Sequence, residues 1–479
     1  MKEFADIQFG KARAELEAAR FPELLEKGYL DHRNAFKKLE NGEFYLVLGS
    51  KGSGKSAIGE KLRLDAERDS QRAVSLVHLE DFPFKSFSKI FSGESEAESK
   101  YPASWSWILL LTIIDKLRSD PGARDSVNID YNNAICELES LGFLPTTDIK
   151  KLIIQSSKTS FKASIPKILE YSRESSSVGS GADLQFLALV DYLKELVTSY
   201  STEGGLILVI DGLDDVLTKR EVQYQALAAL IFEVDRLNML FFRKKKRIHI
   251  VVLCRTDLYE RLPGPNKNKL RQDSSIELSW YHDPNSPGAS KLIELANLRA
   301  RLSLDEEVDV FDKYFPKKIN EKNAIHFLLD HTRHTPRDFI NLLNNIQDFS
   351  GGGKLSRDSI LSGLRQYSID YFEPEIRDEL VGYVEPGSFD AFCLLVGSIR
   401  QREFSYERFI RCAEEESVPV EQVNHALNVL YGCGAIGNKW RTPSGSNRYE
   451  FKYRNKNASF DKSKSIVLHR GLWKALNLV

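Results

Sequence analysis

The most constraining feature of the sequence is a glycine-rich segment between a short apolar run and a helical pattern. The run Glu43–Leu48 is EFYLVL, and Gly49–Ser56 that follows it is GSKGSGKS. These eight residues fit G-x-x-x-x-G-K-[ST] at every fixed position. Glycines let successive backbone N–H groups point at a phosphate, and the next helix presents its positive end. The pattern therefore predicts an α/β fold built around a phosphate-binding loop.

The same loop supplies most of the candidate site residues. The Lys55 ammonium would reach the β- and γ-phosphates of a nucleotide, and the Ser56 hydroxyl would ligate Mg²⁺. The expected nucleotide-binding residues are Gly49, Ser50, Lys51, Gly52, Ser53, Gly54, Lys55, Ser56 and the following Ala57.

Further apolar runs alternate with helical patterns over the first 280 residues. The predicted strands are Glu43–Leu48, Ala73–Leu79, Leu206–Ile210, Ile248–Leu253 and Ser275–Ser279. Continuous apolar runs such as LILVI are typical of strands buried on both faces, and their alternation with helices favours a parallel sheet. We expect a P-loop fold with five parallel strands.

Three acids follow the third predicted strand, in Asp211-Gly212-Leu213-Asp214-Asp215. A P-loop fold holds Mg²⁺ at the tip of a buried strand, so Asp211 is the candidate metal residue. Hydrolysis also needs a carboxylate that orients the attacking water, and Asp214 and Asp215 are both candidates. Alternatively, one of this pair caps the helix that follows.

This strand with its acidic tip resembles the Walker B segment of the STAND class of P-loop ATPases. The class includes the NACHT and KAP groups and is related to AAA+ and origin-recognition ATPases. The resemblance implies an ASCE-type sheet, ATP and Mg²⁺ as cofactors, and a switch driven by nucleotide. KAP members usually carry membrane segments, which this chain lacks.

Two arginines occupy positions that resemble the sensors of these ATPases. Arg255 lies at the tip of the fourth predicted strand, two residues after Leu253, and this position is similar to that of sensor-1. Thr335-Pro336-Arg337 begins a predicted helix, Pro336–Gln347, and resembles the G-x-P sensor-2 element, with Thr where the family usually has Gly. The resemblance implies that Arg337 touches the γ-phosphate. The alternative is a solvated helix N-terminus.

The pattern of elements predicts three domains. Residues 1–285 would form the nucleotide-binding domain, with a helical insertion at about 120–185 that ends in a Ser/Gly-rich stretch. Residues 286–385 would form a helical lid and connector. Residues 386–479 read as three helices followed by a two-stranded ribbon, the order of a winged helix.

The end of the chain is basic. From Lys439 to Val479 there are ten Lys and Arg against two acids, a local charge of +8 in a chain whose net charge is −1. Cations with interleaved aromatics suit contact with a phosphate backbone, so the Lys439–Lys474 segment is a candidate nucleic-acid surface. The alternative, implied by the STAND resemblance, is that this domain packs on the nucleotide domain.

Two functions are consistent with these features. The first is a Mg²⁺- and ATP-dependent switch in signalling or anti-phage defence, acting as a homo-oligomer or with an effector protein. The second is a DNA-binding ATPase resembling origin-recognition or transposition ATPases. Five scattered cysteines and the absence of a signal sequence favour the cytoplasm. The longest apolar run, Trp105–Ile114, is about half the length needed to span a bilayer.

Overall fold

The structure is a computed structural model. The structure describes residues 2–69, 71–91, 97–118, 129–145, 148–158, 182–200, 204–213, 221–282 and 289–478. Their contacts divide the chain into two units. The sheet unit contains Asp31–Ser50 and Lys55–Leu278, and the lid unit contains Met1–Leu30, Lys51–Gly54 and Ser279–Val479.

A five-stranded parallel sheet organises the sheet unit. Its strands are β1 Leu46–Gly49, β2 Arg72–His78, β3 Gly205–Asp211, β4 Ile248–Arg255 and β5 Ser275–Leu278. The order β2-β3-β4-β1-β5 inserts β4 between the strand that enters the glycine-rich loop and the strand that ends in Asp211. This is the expected ASCE-type arrangement, and the predicted fold class, an α/β P-loop NTPase, is confirmed. The central strands are buried on both faces, as their continuous apolar sequences predicted.

Helices surround this sheet. Their bounds are Ala35–Glu40, Lys55–Ala66, Phe84–Ile90, Ala97–Arg118, Ile129–Ser140, Ile149–Lys158, Ala182–Ser199, Glu221–Arg243, Thr256–Arg261 and Lys267–Ser274, with a 3₁₀ turn at His32–Asn34. Much of the expected insertion at about 120–185 lies outside the described residues, namely 120–128, 146–147 and 159–181. Within the described ranges, no helix is both long and apolar enough to serve as a membrane span.

The N-terminal segment groups with the lid unit, which differs from the expected 1–285 domain. Its elements are a 3₁₀ turn at Phe4–Asp6 and helices Ala14–Arg20 and Pro22–Glu26. Phe4 packs against the Tyr314 and Phe315 rings, 5.6 and 5.5 Å away. A buried ion pair joins Arg299 to Glu17 at 2.7 Å. These contacts are distant in sequence, so periodicity could not reveal them.

Helices form most of the rest of the lid unit. Their bounds up to residue 380 are Lys291–Leu304, Val310–Tyr314, Ala324–Leu329, Pro336–Gln347, Arg357–Gln366, a π-helix at Tyr367–Phe372, and Glu373–Leu380, with a short hairpin of β6 Lys318–Ile319 and β7 Lys322–Asn323. The lid helix, Pro336–Gln347, has the bounds that the sequence predicted. The Thr335 hydroxyl caps it by accepting the Asp338 N–H at 3.1 Å.

The C-terminal part of the lid unit combines three helices with an antiparallel sheet. The helices are Ser388–Ile399, Tyr406–Glu415 and Val420–Gly432, with a 3₁₀ turn at Arg470–Leu472. The strands are β8 Glu403–Phe404, β9 Ile436–Arg441, β10 Asn447–Glu450 and β11 Ser465–Leu468, in the order β10-β9-β11-β8. The ribbon β9–β10 matches the expectation, whereas the two strands that complete the sheet were not predicted.

Candidate nucleotide-binding site

The carboxyl edge of the sheet brings together residues far apart in sequence. Gly49, the first residue of the loop, is paired with Arg255 at the end of β4 and with Leu278 at the end of β5. On the far side of β4, Asp211 is paired with His78 of β2. The parallel register therefore sets the first residue of the glycine-rich loop, Asp211 and Arg255 along one edge of the sheet.

Two loop glycines have backbone angles that favour glycine strongly. Gly52 has φ 76° and Gly54 has φ 94°. The Lys55 ammonium lies 3.2 Å from the Gly49 carbonyl oxygen and 3.0 Å from that of Ser50. The cation is thus held against its own loop, where it would meet a bound polyphosphate.

The two residues that the sequence predicted to hold Mg²⁺, Ser56 and Asp211, contact each other directly. The Ser56 hydroxyl donates to Asp211 Oδ2 at 2.7 Å, and the other oxygen, Oδ1, accepts the Gly212 N–H at 2.8 Å. A hydroxyl and a carboxylate are oxygen ligands that Mg²⁺ accepts, and it commonly completes its shell with water and phosphate oxygens. These residues therefore fit Mg²⁺ bound together with a nucleotide.

The predicted water-orienting carboxylates follow β3 in the sequence. Asp214 and Asp215 lie outside the described residues. The structure adds Glu80, which follows β2 and which the sequence argument overlooked. A Cβ built on Gly212 would lie 3.6 Å from Glu80 Cγ, so Glu80 adjoins the segment that follows Asp211. The sequence feature that could have identified Glu80 is its position directly after the predicted strand Ala73–Leu79.

Arg255 is held by a neighbouring carboxylate. Its guanidinium donates two hydrogen bonds to Asp257, both at 2.9 Å. Burial acts to raise the pKa of Asp257, but the charge and hydrogen bonds of Arg255 outweigh it, so the pKa lies below its ordinary value. The bidentate pair fixes the guanidinium at the tip of β4, beside Gly49.

Arg337 contacts the middle of the loop within the lid unit. Its backbone N–H donates to the Gly52 carbonyl oxygen at 3.3 Å. Its guanidinium donates to the Ala12 carbonyl at 3.1 Å and contacts Glu375 at 3.3 Å, and Lys51 contacts the same carboxylate at 3.1 Å. Trp280 adds a hydrogen bond to the Ser53 carbonyl at 2.8 Å. Glu375 and Trp280 were missed because no spacing in the sequence links them to the loop.

A buried ion cluster anchors the lid helix. Arg333 contacts Asp338 at 3.0 Å and Glu379 at 2.5 Å, and the Tyr371 hydroxyl donates to Asp338 at 2.9 Å. Burial opposes ionisation of Asp338, yet Arg333 outweighs burial and lowers the pKa of that carboxyl to about 2. The cluster therefore joins the lid helix firmly to helix Glu373–Leu380.

The basic C-terminal segment divides into engaged and exposed cations. Arg454 and Arg470 contact Asp330 of the lid region, at 3.6 and 3.3 Å, and Lys439 pairs with Glu403. Arg441 and Arg448, on the β9–β10 ribbon, are exposed. The domain thus uses part of its charge inside the lid unit and presents another part to solvent.

Comparisons with known proteins give one family match and several distant similarities. Over 481 residues the chain is 20% identical to the transposon gamma-delta 80.3 kDa protein of Escherichia coli (strain K12). That alignment covers 95% of this chain but 65% of the relative, so the chain spans less than two thirds of the relative's length.

Two solved structures of archaeal proteins are similar over nearly their whole length at low scores. Orc1 of Aeropyrum pernix in complex with DNA has a TM-score of 0.41 and 13% identity, covering 96% of each chain. Cdc6p of Pyrobaculum aerophilum has a TM-score of 0.30 and 13% identity, covering 98% of this chain and 97% of that one.

Residues 290–374 match the family model of the FunZ-associated C-terminal helical domain. That match covers less than half of the chain.

Proposed function

We propose that this chain is a Mg²⁺-dependent ATPase that acts on DNA. The observation that carries the ATPase proposal is the 2.7 Å contact between Ser56 and Asp211, beside a glycine-rich loop with two positive φ angles. A P-loop fold uses these two oxygens to hold the metal of a bound Mg²⁺–nucleotide.

Each site residue has a role in this proposal. The loop residues Gly49 to Ala57 wrap the phosphates, with Lys55 as the main cation, and Ser56 and Asp211 hold Mg²⁺. The metal would neutralise charge on the phosphate oxygens. Arg255 and Arg337 read the γ-phosphate, while Asp214 or Asp215 orients the attacking water. ATP rather than another nucleotide is inferred from the family resemblance.

The C-terminal domain supports a role on DNA. Its three helices and antiparallel ribbon follow the order of a winged helix, and the ribbon carries exposed Arg441 and Arg448 next to Tyr449, which is 46% exposed. The helix Val420–Gly432 has no Lys or Arg. Because base readout relies mainly on such side chains, we propose contact with the phosphate backbone and little sequence specificity.

The name of the transposon gamma-delta relative also supports a role on DNA, since a transposon is a mobile DNA element. Neither the family match nor the relatives support the signalling or anti-phage defence function that the sequence also suggested. Assignment to the STAND class, oligomer formation and an effector partner rest on the sequence resemblance.

Replacing Lys55 tests the proposed nucleotide site. Lys55→Ala removes the cation nearest the expected phosphates and should weaken binding of Mg²⁺–ATP at least about tenfold, as loss of a charge-assisted hydrogen bond does. Calorimetric titration of the full chain measures the affinity. The matched control is Lys61→Ala, on the same helix, because Lys61 pairs with Asp65. An ATP affinity in Lys55→Ala equal to that of the wild type would contradict the proposed nucleotide site.

A further inference from the structure

One carboxylate in the lid unit is shared by two cations that adjoin the phosphate-binding loop. Glu375 Oε1 lies 3.1 Å from the Lys51 ammonium and 3.3 Å from the Arg337 guanidinium. Lys51 is itself the third residue of the loop, and Arg337 is the expected reader of the γ-phosphate. A single carboxylate oxygen thus engages both charges.

The environment makes this contact stronger than an ordinary surface pair. The Glu375 side chain is 13% exposed, against 25% for Lys51 and 28% for Arg337. Partial burial reduces screening by water and salt, so the charges interact more strongly than fully exposed ones.

The position of Glu375 is fixed by the buried cluster beneath it. Glu379 lies four residues further along the same helix, hence on the same face, and contacts Arg333 at 2.5 Å. Arg333 in turn contacts Asp338 in the first turn of the lid helix, next to Arg337. Glu375 therefore faces Arg337 because two buried ion pairs hold its helix there.

We propose that Glu375 competes with the γ-phosphate of ATP for Arg337, and thereby lowers the preference of the chain for ATP over ADP. This inference rests on the proposed function of the site. ADP lacks the γ-phosphate, so Arg337 stays with Glu375 in the ADP-bound chain. ATP offers Arg337 a second anion, and its binding must offset the loss of the Glu375 contact.

This competition links the nucleotide to the C-terminal domain. Glu375 lies on Glu373–Leu380, the last helix before that domain begins at Ser388. Release of Arg337 from Glu375 removes one of the contacts that tie this helix to the lid helix. The competition therefore acts on the helix that precedes the C-terminal domain, while the buried ion pairs of Arg333 stay in place.

The test compares the affinities of the full chain for ADP and for β,γ-imido-ATP, which resists hydrolysis, by calorimetry with Mg²⁺. Glu375→Gln should tighten binding of the ATP analogue about threefold to tenfold, the range expected for freeing one partly buried ion pair, and change ADP binding less than about twofold. Glu375→Asp keeps the charge but shortens the side chain, so it should fall between.

A matched control and a coupling experiment separate this effect from simple removal of charge. Glu373→Gln removes a carboxylate two residues away that pairs with Arg377, and should leave both affinities unchanged. In an Arg337→Met background, Glu375→Gln should no longer change the ratio of affinities. Weaker binding of the ATP analogue in Glu375→Gln, or an equal shift for both nucleotides, would overturn the inference while leaving the nucleotide site intact. A wild-type chain that binds neither nucleotide would overturn the proposed function as well.

Discussion

At the scale of single residues, the contact between Ser56 and Asp211 carries most of the functional argument. The two side chains are 155 positions apart in sequence, yet their oxygens lie 2.7 Å apart at the edge of the sheet. In the proposed site both would hold Mg²⁺ through an oxygen atom, and the carboxylate would contribute a negative charge that favours the cation. Removing that charge without changing the shape of the side chain should affect the metal more than the nucleotide.

We expect Asp211→Asn to raise the Mg²⁺ concentration that gives half-maximal ATP binding by about tenfold, since one anionic ligand is lost. Binding of ATP without Mg²⁺ should stay within about twofold of wild type, because Lys55 and the loop are intact. Titration of Mg²⁺ at fixed ATP measures both quantities. Asp65→Asn, on the helix that follows the loop, is the control. A Mg²⁺ requirement unchanged in Asp211→Asn would exclude Asp211 as a metal residue.

The candidate site residues that could be predicted from the sequence are those that belong to a short local motif. The loop residues, Asp211 and Arg255 follow from local motifs and from the ends of apolar strands. Glu375 reaches Lys51 from 324 positions away, through a helix whose own pattern carries no functional signal. Glu80 adjoins Gly212 only because β2 pairs with β3.

At the scale of elements, prediction succeeded where burial alone decides the structure. Strands β3 and β4 are buried on both faces, so their apolar runs marked them within about two residues. Strand β8 has two residues and depends on pairing with β11, and no alternation can appear over such a length. The N-terminal helices group with the lid unit through partners such as Arg299, which are far along the chain and which no local pattern reveals.

The approach of the lid helix to the loop gives a prediction at this scale. A Cβ on residue 52 would lie 2.9 Å from Arg337 Cβ and 3.2 Å from Thr335 Oγ1, whereas a Cβ on residue 54 would have nothing within 4 Å. Both glycines have positive φ, so alanine is strained at either position, by about 1–2 kcal/mol. Of the two substitutions, only Gly52→Ala also places its new methyl group against Arg337 Cβ and Thr335 Oγ1 at the start of the lid helix.

Gly52→Ala should therefore lower the free energy of unfolding by about 1–3 kcal/mol more than Gly54→Ala does, the usual cost of overpacking. Urea denaturation of the two variants, compared with wild type, measures the difference. Equal losses in the two variants would mean that the lid helix yields without cost, and that it does not depend on the glycine at residue 52.

At the scale of the whole molecule, charge is unevenly distributed. The chain is nearly neutral, with a net charge of −1, while residues 439–479 hold ten cations against two acids. Arg454 and Arg470 are committed to Asp330, so their substitution would disturb packing as well as any binding. Arg441 and Arg448 are exposed and are therefore the cleaner probes of a nucleic-acid surface.

We expect the double reversal Arg441→Glu/Arg448→Glu to weaken binding of duplex DNA by at least about tenfold at low salt. It should also reduce the slope of log affinity against log salt by about two, because each phosphate contact releases roughly one counterion. The slope distinguishes loss of phosphate contacts from loss of structure, since a variant that merely loses structure would not change the slope in proportion to the cations removed.

Arg357→Glu/Arg365→Glu makes the same change of charge at two exposed positions of the helix Arg357–Gln366 and should have little effect. If both double variants reduce affinity and slope equally, general charge rather than the ribbon governs binding. If neither reduces them, the domain does not use the ribbon for DNA, and its contacts with the lid region at Asp330 would be its principal role.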